Sequence, residues 1–512
     1  MTFSAQEPEL TLPSSYASLD LSLIEDVIDK LNSLKTAMKD TEAIITDQLT
    51  RVTCQHASVL NTQNTTIKLP VELLGIIFSH ACDVTPPTIS RRWWDESGIA
   101  NNTVDHTRLS IELTCIHWRT VLHSTPNTWK NTVFSFPEDP SFRFIQQKLQ
   151  MMFTQLQRSK SPKRRIFVDA LYMDIENPEA LGLLNHFGLI FVDEQLSIET
   201  LAIRTSQPLD WCTSWLFNKP PFPLLHTLCV EWNENIGQMD LDLSSATQLQ
   251  VLILTYPLNS ADPNITLSIL CPYACNISEL HLRGSISMVD AFQIITQNKG
   301  SLQELYWVAW SNPTSEVLPT QEPSSFPRLQ KLILDIHTPE LMLDIYTFPA
   351  LETLIFRAHS MDYLDKARLP ILRFLKTDRL NRSSLVDYLS ENKHIEEICF
   401  HSLDEATLNG LIPLISPSGD DDGPSGSTPV AGDPLPNLAV IYVKNWVSSA
   451  SIEELFAASR RRRRPFITFI ADPTALNRRP KKGRKTPDIL LEEYPDVFQH
   501  GSLPPRFCVD IW

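Results

Sequence analysis

Ten recurrences of one apolar pattern, L-x-x-L-x-L with aliphatic or aromatic substitutions, constrain the fold of this chain more than any other feature. The first five copies are Ile198-x-x-Leu201-x-Ile203, Leu225-x-x-Leu228-x-Val230, Leu249-x-x-Leu252-x-Leu254, Ile277-x-x-Leu280-x-Leu282 and Leu302-x-x-Leu305-x-Trp307. Then come Leu329-x-x-Leu332-x-Leu334, Leu351-x-x-Leu354-x-Phe356, a weaker Leu372-x-x-Leu375-x-Thr377, Ile395-x-x-Ile398-x-Phe400 and Leu438-x-x-Ile441-x-Val443. Successive copies start 27, 24, 28, 25, 27, 22, 21, 23 and 43 residues apart. The alternating apolar pair of each copy makes a short strand with one buried face, and the leading residue closes the approach to the core. One unit cannot bury its own apolar side, so the copies must stack.

This pattern resembles the leucine-rich repeat, whose period is about 20–29 residues. The resemblance implies an α/β solenoid over residues 130–476, a curved parallel sheet with helices outside. Two longer, irregular units are expected between Thr132 and Glu194, with strands near Thr132–Phe136 and Ile166–Leu171. The Asn or Cys that usually ties successive turns is largely absent, Asn233 being one candidate. The final spacing has an evident cause: residues 416–436, SPSGDDDGPSGSTPVAGDPLP, cannot support a packed element and read as a disordered insertion.

Side chains alternate along a strand, so residues flanking each buried pair face the other way. That column is expected to hold a protein substrate through His281, Arg283, Tyr306, Lys331, Asp335, Arg357, Lys376, His401 and Tyr442, the alternative being a solvated polar face. Val251, Ile253 and Ile355 in the same column suggest a patch that a partner or the chain's own tail covers.

Ahead of the repeats stand Leu69-Pro70-Val71-Glu72-Leu73-Leu74-Gly75-Ile76-Ile77-Phe78, then Leu113-Thr114-Cys115-Ile116-His117-Trp118-Arg119, then Thr125-Pro126-Asn127-Thr128-Trp129. Proline suits a helix start, where its missing N–H would have been an orphan donor. These segments resemble the fungal F-box-like module, here 67–129, in which Leu-Pro opens a short helix and Cys-x-x-Trp-Arg closes the unit. Residues 83–107, with Pro86-Pro87 and Arg91-Arg92-Trp93-Trp94, form an inserted loop that departs from the tighter joint of a typical F-box. Trp93 and Trp94 are either a partner hot spot or a cover folded back on the module. The resemblance implies docking onto the Skp-family adaptor of a cullin-based ubiquitin ligase. It assigns the adaptor contact to Leu69, Pro70, Leu73, Leu74, Ile77, Phe78, Cys115 and Trp118, with Trp129 in the core.

Residues 1–21 read as disordered, and 22–62 as one helix. Ile24, Leu31, Met38, Ile45, Val52 and Val59 stand seven apart, as in a coiled coil. Val27 and Leu34 supply a second seam only at first, and Thr41, Gln48 and Gln55 follow. Two readings stay open: a weak homodimer through residues 22–60, or an amphipathic helix lying on the neighbouring domains.

The net charge of −16 is uneven, since Arg460–Lys485 holds eleven basic residues against Asp472 and leaves −26 elsewhere. A surface this acidic argues against nucleic acid as a partner. Arg460–Arg464 is expected to end a helix over Ser451–Ser459, followed by a strand over Phe466–Ile470. With the basic run Arg478–Lys485 it resembles a nuclear-import signal, and the remainder of 477–512 reads as a tail. Nine cysteines without a C-x-x-C pair point to reduced thiols in cytoplasm or nucleus. No apolar run is long enough to span a membrane. No phosphate-binding, metallopeptidase or nucleophile-elbow motif occurs, and no cofactor, metal or catalytic residue is expected. The expected function is substrate recruitment to a cullin-type ligase. The alternative is a non-degradative interaction scaffold, dimeric through the N-terminal helix.

Overall fold

A computed structural model describes residues 21–63, 69–83, 103–137, 140–159, 163–170, 197–205, 222–232, 239–256, 267–270, 276–284, 286, 288–309, 324–336, 340–356, 369–377, 388–403, 405–415, 435–446, 450–461, 468–471 and 498–500. The chain divides into two compact units, Met1–Leu74 with Ile111–Val121, and Gly75–Ser110 with Leu122–Trp512.

The first unit holds α1 (Leu21–Gln63), and the unit boundaries fall inside the next three helices. Helix α2 (Val71–Ala81) begins directly after Pro70, whose carbonyl accepts the first helical hydrogen bond from Leu74 N–H at 3.1 Å. Helix α3 (Thr103–Thr114) and helix α4 (Ile116–Ser124) follow, then a 3₁₀ turn over Pro126–Trp129. Residues 103–107, expected inside the inserted loop, are therefore the first turns of α3. Val104, Arg108 and Ile111 form its buried stripe, and a polar sequence with an arginine at a core position hides that helix from an apolar-periodicity reading.

Among the described residues of the second unit one parallel sheet holds fourteen strands. In chain order the strands are β1 (Asn131–Ser135), β2 (Arg164–Ala170), β3 (Ile198–Thr205), β4 (Thr227–Trp232), β5 (Met239–Asp242) and β6 (Val251–Thr255). Next are β7 (Leu267–Leu270), β8 (Glu279–Arg283), β9 (Glu304–Ala309), β10 (Ser324–Ser325), β11 (Lys331–Ile336) and β12 (Tyr346–Thr347). The last six are β13 (Thr353–Phe356), β14 (Phe374–Thr377), β15 (Glu397–Leu403), β16 (Val440–Trp446), β17 (Thr468–Ala471) and β18 (Phe498–His500). Sheet order follows chain order, omitting only β5, β7, β10 and β12, which form two separate parallel pairs. All ten repeat copies and both expected irregular units lie on consecutive sheet strands. Residues 498–500, placed by the sequence reading in a tail, add a fourteenth strand beside β17.

Register keeps equivalent motif positions side by side: Leu280 faces Leu305, Leu305 faces Leu332, and Leu332 faces Leu354. The inward residues make one continuous buried cluster from Phe134 to Phe469. Helices fill several connections with apolar faces, namely α5 (Phe142–Ser159), α6 (Met288–Gln297), α7 (Glu340–Leu343), α8 (Glu405–Ile415) and α9 (Ala450–Arg461). In α5, Ile145, Leu149, Met152 and Leu156 recur at helical spacing and are buried. In α6, Phe292 meets Trp307 of β9 edge-on at 5.0 Å. Helix α9 takes in Arg460 and Arg461, so the arginine run begins inside the helix rather than after Ser459.

A second recurrent signal closes the turns. Five copies open with an apolar residue and proline: Phe222-Pro223-x-Leu225, Phe326-Pro327-x-Leu329, Phe348-Pro349-x-Leu351, Leu369-Pro370-x-Leu372 and Leu435-Pro436-x-Leu438. In each, the leading Leu N–H donates to the carbonyl three residues earlier, at 3.1 to 3.4 Å. Proline presets φ for the second turn position, and the apolar opener is buried in the common core, so Leu435 and Pro436, expected at the end of the disordered insertion 416–436, belong to the repeat that follows it.

Candidate functional site

Helix α2 has two faces. Leu74, Phe78 and Cys82, four residues apart, are buried, whereas Leu73 and Ile77 are 47% and 50% exposed and Ile76 is exposed between them. Pro70 is exposed and Leu69 half-buried. Among residues assigned to the adaptor, Leu73, Ile77 and Pro70 therefore face solvent. Leu74 and Phe78 do not; they are core residues, because the i, i+4 stripe they share with Cys82 points inward.

Cys115 has a specific local role. It separates α3 from α4, and its Sγ accepts a hydrogen bond from Trp118 N–H at 3.4 Å while its carbonyl accepts from Arg119 N–H at 3.0 Å. That is an N-cap, with sulfur in place of the usual serine or aspartate oxygen. Arg119 Nε also donates to the Glu112 carbonyl at 3.1 Å, fastening the corner between the helices. Cys115 and Trp118 are both half-buried, so the cysteine of the Cys-x-x-Trp-Arg segment shapes a helix start rather than offering an open contact. Three exposed apolar residues close by in sequence have no contact role in the sequence analysis: Leu109, Leu113 and Ile116, the last 79% exposed. The four-residue spacing of Leu109 and Leu113 on α3 is the signal that could have found the first two, while Ile116 opens the next helix.

The second unit holds the 3₁₀ turn through Arg108. Its guanidinium is buried, donates to the carbonyls of Thr128 and Asn131, pairs with Asp105 at 3.1 Å and lies 5.1 Å from the Trp129 ring centre. Trp129 Nε1 donates to Leu122 O at 2.9 Å, and Arg158 of α5 covers the ring at 4.8 Å. Asn131 Nδ2 reaches back to the Cys82 carbonyl at 2.8 Å. Burial pushes the Cys82 thiol up, and Arg108 only partly opposes it, so this is an inert core thiol.

The sheet face opposite the core differs from the expected open column. Its middle row can be followed across paired strands: Ile253, His281, Tyr306, Ile333, Ile355, Lys376, Cys399, Tyr442 and Ile470. Seven residues of this face, Tyr306, Val308, Ile333, Ile355, Phe374, Cys399 and Tyr442, form a separate buried apolar cluster. Tyr306 and Lys376 are 2% and 1% exposed, and Asp335 and Tyr442 are also buried. These four are therefore not open substrate contacts as expected: the row is too apolar to stand in water. His281, Arg283 and Lys331 are half-buried. His401 lies on β15, where only the backbone is described, and Arg357 lies outside the described residues, as do Trp93, Trp94 and the basic run Arg478–Lys485.

Flanking rows carry cross-strand ion pairs, Arg204–Glu231 at 3.5 Å and Glu304–Lys331 at 3.6 Å. At the sheet's first edge Glu199 gathers Lys130, Lys163 and Arg165 at 3.2 to 3.4 Å. Burial works to raise its pKa, but Lys130 and Arg165 outweigh it and hold the carboxyl below its usual range. Among the described residues no three His, Cys, Asp or Glu side chains converge to hold a metal, and no helix is long and apolar enough to cross a membrane. No family model, curated protein or solved structure matches this chain.

Proposed function

We propose that this chain is a substrate-recruiting subunit of a cullin-type ubiquitin ligase. On this reading the F-box-like helices dock a Skp-family adaptor and the leucine-rich-repeat solenoid holds a protein substrate. The observation that carries the reading is the two-faced α2. Its inward stripe is satisfied by its own chain, and its outward stripe of Leu73, Ile76 and Ile77 is apolar and half-exposed on a short helix. A partner that covers such side chains gains about 1 kcal/mol from each. The ligase chemistry would belong to the conjugating enzyme, with this chain supplying proximity and orientation.

The test is co-purification of the Skp-family adaptor with the full chain and with a Leu73→Asp, Ile77→Asp variant. Both side chains point outward, so the fold is kept and adaptor recovery is expected to drop to background. Unchanged recovery with a folded variant would remove the docking claim. A non-degradative scaffold is the second reading, and the exposed apolar residues along α1 favour it. It predicts a stable assembly with no adaptor.

A further inference from the structure

Helix α1 is 43 residues long, about 65 Å at 1.5 Å per residue. Along it the large apolar side chains from Val27 to Val52 are 49% to 66% exposed. Apolar side chains this exposed gain little from the described residues, and a partner that covers them would stabilise the helix.

We propose that α1 pairs with α1 of a second copy of this chain as an antiparallel coiled coil. The order of residues around the seam sets this direction, independently of adaptor docking. The seam residues Leu31, Met38, Ile45 and Val52 repeat every seven positions. The adjoining seam position holds Val27 and Leu34 in the first half of the helix but Thr41 and Gln48 in the second. A parallel pair sets each layer against itself, so Thr41 and Gln48 would meet their own copies. An antiparallel pair instead sets Val27 against Val52 of the second copy, and Leu34 against its Ile45.

The residues flanking that seam agree. Ile28, Lys35, Glu42 and Leu49 occupy successive equivalent positions along one edge. In an antiparallel pair like positions on this edge meet in reverse order. Ile28 then faces Leu49, and Lys35 faces Glu42, each contact made twice by symmetry. In a parallel pair Lys35 would instead face Lys30, since the two edge positions five apart come together. The other edge brings Lys30 near Arg51 in the antiparallel arrangement. Each of these carries its own acid one turn earlier, Asp26 at 2.6 Å and Asp47 at 2.9 Å, so that meeting is between neutralised ion pairs.

Sedimentation equilibrium on the full chain tests this, with Lys35→Glu and Lys35→Glu/Glu42→Lys beside the wild type. The expected result is a wild-type dimer at micromolar concentration. Lys35→Glu is expected to raise its dissociation constant about tenfold, because two attractive contacts become repulsive, and the double variant to return it to near the wild-type value. Direction is read separately from an Ile28→Cys/Leu49→Cys variant, whose oxidised dimer should yield a 28–49 cross-linked peptide. A monomeric wild type, a dimer indifferent to Lys35→Glu, a double variant that stays dissociated, or no 28–49 peptide would each overturn the proposal. Adaptor recovery is measured on a different helix, so either claim can fail without the other.

Discussion

Arg108 grips the carbonyl of Thr128 with two nitrogens, Nε at 2.9 Å and Nη2 at 2.8 Å, from twenty residues away. The guanidinium is buried and also serves Asn131 O and Asp105, so no water replaces it easily. Arg108→Ala leaves two carbonyls and a carboxylate short of a buried donor and is expected to cost about 3 kcal/mol. Arg108→Lys should not restore this, since one ammonium cannot reproduce the planar fork. Urea unfolding midpoints of the three proteins measure it, and a lysine variant as stable as wild type would contradict the two-nitrogen grip.

The sulfur cap at the start of α4 makes a graded prediction. Cys115→Ala removes the acceptor facing Trp118 N–H and should cost about 1 kcal/mol. Cys115→Ser replaces sulfur with a better acceptor of smaller size and is expected to match or exceed wild-type stability. If alanine and serine behave alike, the thiol is a packing group and the cap carries no energy.

Gly284 directly follows β8 with φ at +111°, and a Cβ there would stand 2.1 Å from the Tyr256 carbonyl oxygen. The close approach is part of the ladder, since Tyr256 N–H donates to Arg283 O at 2.7 Å and Gly284 N–H to Val308 O at 2.8 Å. Gly284→Ala must both strain φ and push the neighbouring strand end away, at an expected cost of about 3 kcal/mol. Thermal unfolding of the alanine variant checks it, and an unchanged midpoint would show that the strand end yields freely.

The sheet was legible in the sequence because its period is a property of the chain alone: Leu201, Leu228 and Leu252 announce their strands without knowledge of neighbours. The Φ-Pro-x-Leu closures are equally local, but they precede the strand residues and occur in only five of the ten copies, so the strand pattern alone does not announce them. Two features were not legible. The start of α3 hides its core in Arg108, a residue that periodicity counts as polar. Tyr306, Asp335, Lys376 and Tyr442 are buried rather than open for a different reason. Alternation says which face a side chain takes, but whether that face meets water depends on chain that is distant in sequence. Ile253, Ile333 and Ile355 in the same row were the warning, since a run of branched apolar residues across a sheet face is unstable in solvent.

His281 offers the last test, because it is an ionisable group set in that apolar row between Ile253 and Tyr306. Its ring centre lies 3.9 Å from that of Tyr306, and Nε2 is sealed from solvent with no hydrogen-bond partner among the described residues, although the residue as a whole is only half-buried. Burial first, and then the nearby Arg283 cation, push its pKa down to about 3. The unfolded chain takes up this proton near pH 6.5, and the folded one does not until far lower pH. Between those values the unfolded state holds more protons, so the stability contribution is complete above about pH 6.5 and is lost as pH falls. At pH 5 the loss should reach about 2 kcal/mol, at 1.4 kcal/mol per pH unit below the unfolded pKa. His281→Phe keeps the ring contact and removes the proton site. Its stability relative to wild type is therefore expected to rise by that amount between pH 7 and pH 5, read from urea midpoints at the two values. Parallel pH profiles for the two proteins would mean that the ring protonates in place, and that this row is open to water after all.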